Sequence, residues 1–134
     1  MKKIKIAIDL DDTINLSCNS MTFFSLITNS LKDIAYIYII TNRDIDNESR
    51  RKTREELSLL NIHYDKLVIT ENKSNYILSE GITVFFDDTD ENFLDLPESI
   101  LVFKTREAGN FDFLAKKWIY GDKTGINIDK KRNK

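Results

Sequence analysis

Asp9 and Asp11 stand two residues apart at the end of an apolar run, Ile4, Ile6, Ala7 and Ile8. Residues at i and i+2 of a strand point the same way, and a loop turning there can still aim both carboxylates at one substrate. One acid can attack phosphorus as a nucleophile while the other protonates the leaving oxygen and later activates water. With Asp12 beside them the three carboxylates repel one another, so a cation is expected at the site. Mg²⁺ suits that place, because it takes one or two carboxylates and fills its remaining positions with water and phosphate oxygens.

Three more groups have the right chemistry. Thr41 closes the run Tyr36-Ile37-Tyr38-Ile39-Ile40 and is followed by Asn42 and Arg43. A hydroxyl and a backbone N–H at a strand end can hold a phosphoryl oxygen, and Arg43 offers a planar fork of donors. Lys73 follows a strand near a helix start, where its ammonium can face a transferring phosphoryl group. Asp87-Asp88 closes Thr83-Val84-Phe85-Phe86 and supplies a second acid pair for the metal.

These residues are far apart in sequence, so the fold must gather them. Apolar runs at 3–9, 35–41, 66–70, 82–87 and 99–103 are rich in Ile, Val, Tyr and Phe and read as strands. Helices are expected from Asn19 to Leu31, from the Asp46-Asn47 cap to Asn61, from Lys73 to Glu80 with Gly81 as the stop, and from Asp90 to Leu96 ahead of Pro97. Alternating strand and helix implies parallel strands joined by right-handed crossovers. The expected architecture is therefore a three-layer α/β Rossmann-like sandwich with a five-stranded parallel sheet in the order 3-2-1-4-5. That order places the first strand centrally and brings Asp9, Thr41 and Asp87 to one rim, at the reversal of winding.

Composition narrows the field. At 134 residues the chain is one domain by length, expected over 1–128, with a basic tail at 129–134 that reads as disordered. A net charge of −2 argues against binding nucleic acid through bulk electrostatics. No apolar run approaches the ~20 residues of a membrane helix. The apolar stretch after Met1 is broken by Lys5 and stopped by Asp9, unlike an export signal, so a cytoplasmic location is expected. Cys18 has no partner for an intramolecular disulfide and is expected as a small hydrophobe on the inner side of its helix.

The ordered set of motifs resembles the haloacid dehalogenase (HAD) superfamily of phosphotransferases. The matching residues are Asp9, Asp11 and Thr13, then Thr41, then Lys73, then Asp87 with Asp88, and the resemblance covers residues 3 to about 103. It implies that Asp9 is a nucleophile that becomes an aspartyl-phosphate and that Asp11 is the general acid/base. Thr41 and Lys73 would hold phosphoryl oxygens, and Thr13, Asn42 and Arg43 would support substrate binding. Mg²⁺ would sit on Asp9, the Asp11 backbone carbonyl and Asp87, with Asp88 acting through water or as an alternative ligand. An acid at the second position points to a phosphatase within the family. The Arg two residues after Thr41 resembles the polynucleotide 3'-phosphatase and 5'(3')-nucleotidase-like members, whose substrates are nucleotides or nucleic-acid ends. The kinase-type phosphatases also carry an Arg soon after the first motif, whereas residues 14–31 hold no Arg or Lys.

The spacing from Asp9 to Thr41 leaves room for one helix, and that from Thr41 to Asp87 is filled by helix, strand and helix. No cap domain is expected, and in the family this chain resembles an open site goes with a large substrate or with a neighbouring subunit, such as a second copy, acting as the lid. The rival reading is a noncatalytic phosphate-binding or regulatory module, whose simplest signature would be loss of Asp9 or Asp11. Elsewhere, His63 reads as solvated or structural, the basic run Arg50 to Arg54 as a solvated helix face, and Phe111, Phe113, Trp118 and Tyr120 as core packing.

Overall fold

In β1 (Ile4–Asp9) the side chains of Ile6 and Ile8 face one way and Ala7 the other, and all three are buried. The same alternation runs through β2 (Ala35–Thr41), where Ile37 and Ile39 oppose Tyr38 and Ile40, and through β3 (Lys66–Ile69) and β4 (Val84–Asp87). Strands with both faces apolar can only be satisfied by a covered parallel sheet. The computed structural model describes residues 2–118 and has that sheet, with β5 (Leu101–Lys104) completing the order β3-β2-β1-β4-β5 and every neighbouring pair parallel. The expected topology is the observed one.

Three helices cover the faces. Phe24, Ile27 and Leu31 of α1 (Cys18–Leu31) and Leu57 of α2 (Asn47–Leu59) pack with Ile6, Ile8, Ile37 and Ile39. Ile77 of α3 (Lys73–Glu80) packs on the opposite face with Ala7, Ile40, Val68 and Phe85. Each helix start has a side-chain cap: Ser17, Asp46 and Asn72 accept from the backbone N–H three residues on. Gly81 ends α3 at φ +76°, donating its N–H to the Ile77 carbonyl. A Cβ there would meet nothing within 4 Å, so Gly81→Ala isolates the left-handed backbone penalty, about 1–2 kcal/mol. Chemical denaturation should show that loss.

Three expectations are corrected. The stretch after β4 forms a single 3₁₀ turn at Asp90–Asn92 followed by isolated turns, not a helix to Leu96. Pro97 cuts it to about seven residues, too few for helical propagation to offset nucleation. Cys18 is exposed; it lies six residues before Phe24, about 240° around the helix from the buried face. Phe111, Phe113 and Trp118 belong to a small hairpin, β6 (Phe111–Asp112) with β7 (Lys117–Trp118), in which Phe111 meets the other two rings edge to face outside both core clusters. Phe113 is 81% exposed, so the core-packing expectation fails for want of an opposing layer among the described residues. Tyr120 and the 129–134 tail lie outside the described residues. No helix among the described residues is long and apolar enough to cross a membrane.

Candidate active site at the carboxyl edge of the sheet

Asp9, Thr41 and Asp87 are the last residues of β1, β2 and β4, three adjacent parallel strands, so their side chains meet at one edge. The winding reverses between β1 and β4, and ligands of open α/β sheets bind at that switch point. Lys73 opens α3 and reaches back over the same edge. Its Nζ lies 2.6 Å from Asp9 Oδ1 and 3.0 Å from Asp87 Oδ2, with all three side chains almost completely buried. Thr13 Oγ1, fully buried beneath, donates to Asp9 Oδ2 at 3.0 Å.

The acids are in electrostatic conflict. Burial, followed by the charge of Asp87, pushes Asp9 up to about 6, against the opposing pull of Lys73. Burial also raises Asp88, reinforced by its hydrogen bond and charge interaction with Asp9. Burial alone would lower Lys73, but Asp9 and Asp87 outweigh it and keep the ammonium charged. Asp9, Asp87 and Asp88 can each offer one oxygen within 4.8 Å of the others, and all three are buried. An oxygen-rich anionic cluster of this size fits a small divalent cation, which would relieve the repulsion.

Above this cluster opens a cavity of about 280 Å³ lined by Asp9, Asp11, Asp12, Thr41, Asn42, Glu71, Lys73, Asp88, Thr89 and Asn92. Thr41 Oγ1 is buried there without a hydrogen-bond partner. A buried hydroxyl left unsatisfied costs about 1–3 kcal/mol, a cost that an incoming oxyanion would remove. Thr41→Val should therefore leave the ligand-free chain at least as stable in thermal unfolding. It should weaken inorganic phosphate binding about tenfold in a calorimetric titration.

The turn after β1 arranges the rest. Asp12 adopts φ +61°, a left-handed conformation that Asp tolerates better than most residues, and its N–H donates to Asn15 Oδ1 at 2.8 Å. Asp11 turns its carboxylate towards Arg43, which grips it through Nε at 2.9 Å and Nη2 at 2.7 Å. Arg43 also reaches Glu56 and Thr53, and its guanidinium is not among the groups lining the cavity. Asp9, Thr13, Thr41, Lys73, Asp87 and Asp88 thus gather at one centre, Asp11 and Asn42 line its mouth, and Arg43 stands behind Asp11.

Several residues at the site carry no sequence signal. Asn92 donates to Asp87 Oδ2 at 3.1 Å, and the Thr89 N–H donates to Asp87 Oδ1 at 2.8 Å. Arg106 donates through Nη1 to the Asp88 carbonyl and, at 2.8 Å, to the Thr105 carbonyl, fixing the acidic loop from beneath. Of these, Thr89 alone sits beside a recognised motif. His63 lies away from the edge, its N–H bonded to Thr28 Oγ1 and its ring 3.7 Å from Asp65.

A parallel 3-2-1-4-5 sheet with polar residues gathered at its switch point defines a Rossmann-like α/β protein. The fold is similar to that of a chain in the structure of the Pnkp1/Rnl/Hen1 complex, with a TM-score of 0.59 and 18% identity, covering 78% of this chain and 46% of that one. A chain in the structure of the Pnkp1/Rnl/Hen1 RNA repair complex aligns with a TM-score of 0.56 and 15% identity, covering 77% of this chain and 42% of that one. This chain spans less than half the length of either, and at these identities the likeness is one of fold. No family model matches the chain, and no curated protein matches it.

Proposed function

We propose that this chain is a Mg²⁺-dependent phosphomonoester hydrolase of the HAD type, with its catalytic unit in residues 1–128. The observation that carries the reading is the buried Lys73 ammonium between Asp9 and Asp87, beside the unpartnered Thr41 hydroxyl in an open polar cavity. Asp9 is the nucleophile, and its bond to phosphorus replaces the ester bond to give an aspartyl-phosphate. Asp11 gives its proton to the departing alcohol and then takes one from the water that hydrolyses the intermediate. Thr41 and Lys73 hold phosphoryl oxygens, with Asn42 at the mouth, Arg43 supporting the site from behind Asp11, and Thr13 steadying Asp9. Asp9, the Asp11 backbone carbonyl and Asp87 would hold Mg²⁺, with Asp88 the alternative carboxylate. When bound, the cation offsets the charge of phosphate and acids and polarises a phosphoryl oxygen.

Nucleotides and nucleic-acid ends are the favoured substrate class. The fold likeness to chains of an RNA repair complex supports that choice, and the shallow open cavity admits a phosphate at the end of a large molecule. A second copy or another subunit would complete the wall that a cap domain would otherwise supply.

The test is a screen of phosphorylated metabolites, nucleotides and oligonucleotide 5' and 3' phosphates with Mg²⁺ and with EDTA. Turnover that requires Mg²⁺ is expected, strongest on a nucleotide or an oligonucleotide end. Tight Mg²⁺ or phosphate binding with no turnover on any substrate would replace the hydrolase with the noncatalytic module.

A further inference from the structure

Asp11 belongs to a closed ring of polar side chains that extends away from the cavity into α2. Arg43 Nε and Nη2 take both oxygens of Asp11, and Nη2 also reaches both oxygens of Glu56, at 3.1 and 3.3 Å. Asn15 closes the ring, its Nδ2 lying 3.2 Å from Asp11 Oδ1 and 3.4 Å from Glu56 Oε2. Arg43 Nη1 is held at 3.1 Å by Thr53 Oγ1, which itself donates to the Ser49 carbonyl at 2.9 Å. One guanidinium thus serves two carboxylates, one at the cavity mouth and one on the helix.

The ring bears on the proton that Asp11 must deliver. A bidentate arginine stabilises an ionised carboxylate and occupies both of its oxygens. A carboxyl group so held cannot present a proton to a leaving oxygen until the arginine loosens its grip. Glu56 is a second anion on the same nitrogen, placed to keep the guanidinium when Asp11 is neutral.

We propose that Glu56 is a positioning residue for proton donation: it shares Arg43 with Asp11 and receives the guanidinium when Asp11 acts as the acid. The inference rests on the phosphohydrolase reading above. In that step the Asp9–phosphorus bond forms as the phosphorus–oxygen ester bond breaks. The Asp11 proton passes to the ester oxygen, the alcohol leaves neutral, and Asp11 is left as the carboxylate that Arg43 again grips.

The experiment compares p-nitrophenyl phosphate, whose leaving group departs without a proton, with an alkyl phosphate, whose leaving group needs one. The full chain and its Glu56→Gln and Glu56→Ala variants are assayed with saturating Mg²⁺. Both variants should lose at least ten times more kcat on the alkyl ester than on the aryl ester. Equal losses on the two esters, or no loss on either, would overturn the role of Glu56 while leaving the hydrolase reading intact. An original chain inert towards both esters would overturn the hydrolase reading, and this inference with it. Glu56 is about one-third exposed, so the substitutions leave the core untouched, and thermal unfolding of each variant checks this.

Discussion

Asp9→Asn should cut Mg²⁺-dependent hydrolysis of p-nitrophenyl phosphate by about three orders of magnitude or more, while the chain stays folded. The amide keeps the size of the carboxylate: its oxygen can accept from Lys73 in place of Oδ1, and its NH₂, in place of Oδ2, can donate to the Thr13 hydroxyl, which then reverses to accept. What it loses is the charge and the nucleophilic oxygen. Burial and Asp87 already disfavour the ionised form of Asp9, so removing that charge should leave stability in EDTA equal or higher. Activity lost with folding retained is the signature of a group placed for chemistry. Full activity in Asp9→Asn would sink the aspartyl-phosphate mechanism.

The second large effect is on stability. Lys73→Met should destabilise the metal-free chain by about 3–5 kcal/mol, because it leaves Asp9 and Asp87 buried without their shared cation. That is a large share of the 5–15 kcal/mol, roughly, that holds a typical domain together. The sign with pH comes from the ammonium. Its affinity for the proton is raised above the ordinary lysine value, so its contribution is complete at neutral pH and is lost only as pH climbs through the raised value. Urea unfolding at pH 7 in EDTA measures the deficit, and Mg²⁺ should restore part of it by binding the acids Lys73 has left. An unchanged midpoint would show that Lys73 is not their counter-ion.

The strands were legible because each is a short run of Ile, Val, Phe or Tyr ending in a polar residue, and alternation with helices left few ways to join them. Once β1 is central, Asp9, Thr41 and Asp87 must share an edge, whatever their side chains do. Lys73 could be placed because it starts the helix crossing that edge. Side-chain pairing was another matter. Asp11 and Arg43 are 32 residues apart, and the choice of Arg43 between substrate and Asp11 depends on Glu56 and Thr53, which stand in the sequence as ordinary positions of a charged helix. Asp12 stood out for its charge, yet what the fold uses is its tolerance of a positive φ. The hairpin aromatics misled because hydrophobicity reports a need for cover and not whether an opposing layer exists.

The edge strand β5 has consequences for how long each half of the site keeps its shape. Leu101, Val102 and Phe103 are 55, 39 and 44% exposed, so releasing β5 forfeits little burial, whereas β1 is locked between β2 and β4. The acidic loop is tethered to the end of β5 and the two residues beyond it: Thr105 donates to the Asp87 carbonyl, Arg106 to the Asp88 carbonyl, and Lys104 pairs with Asp90. Local opening favours segments with few buried contacts. Opening at this edge therefore starts at β5 and the Lys104–Arg106 tethers, while Asp9, on the central strand, is held from both sides for as long as the domain stays folded.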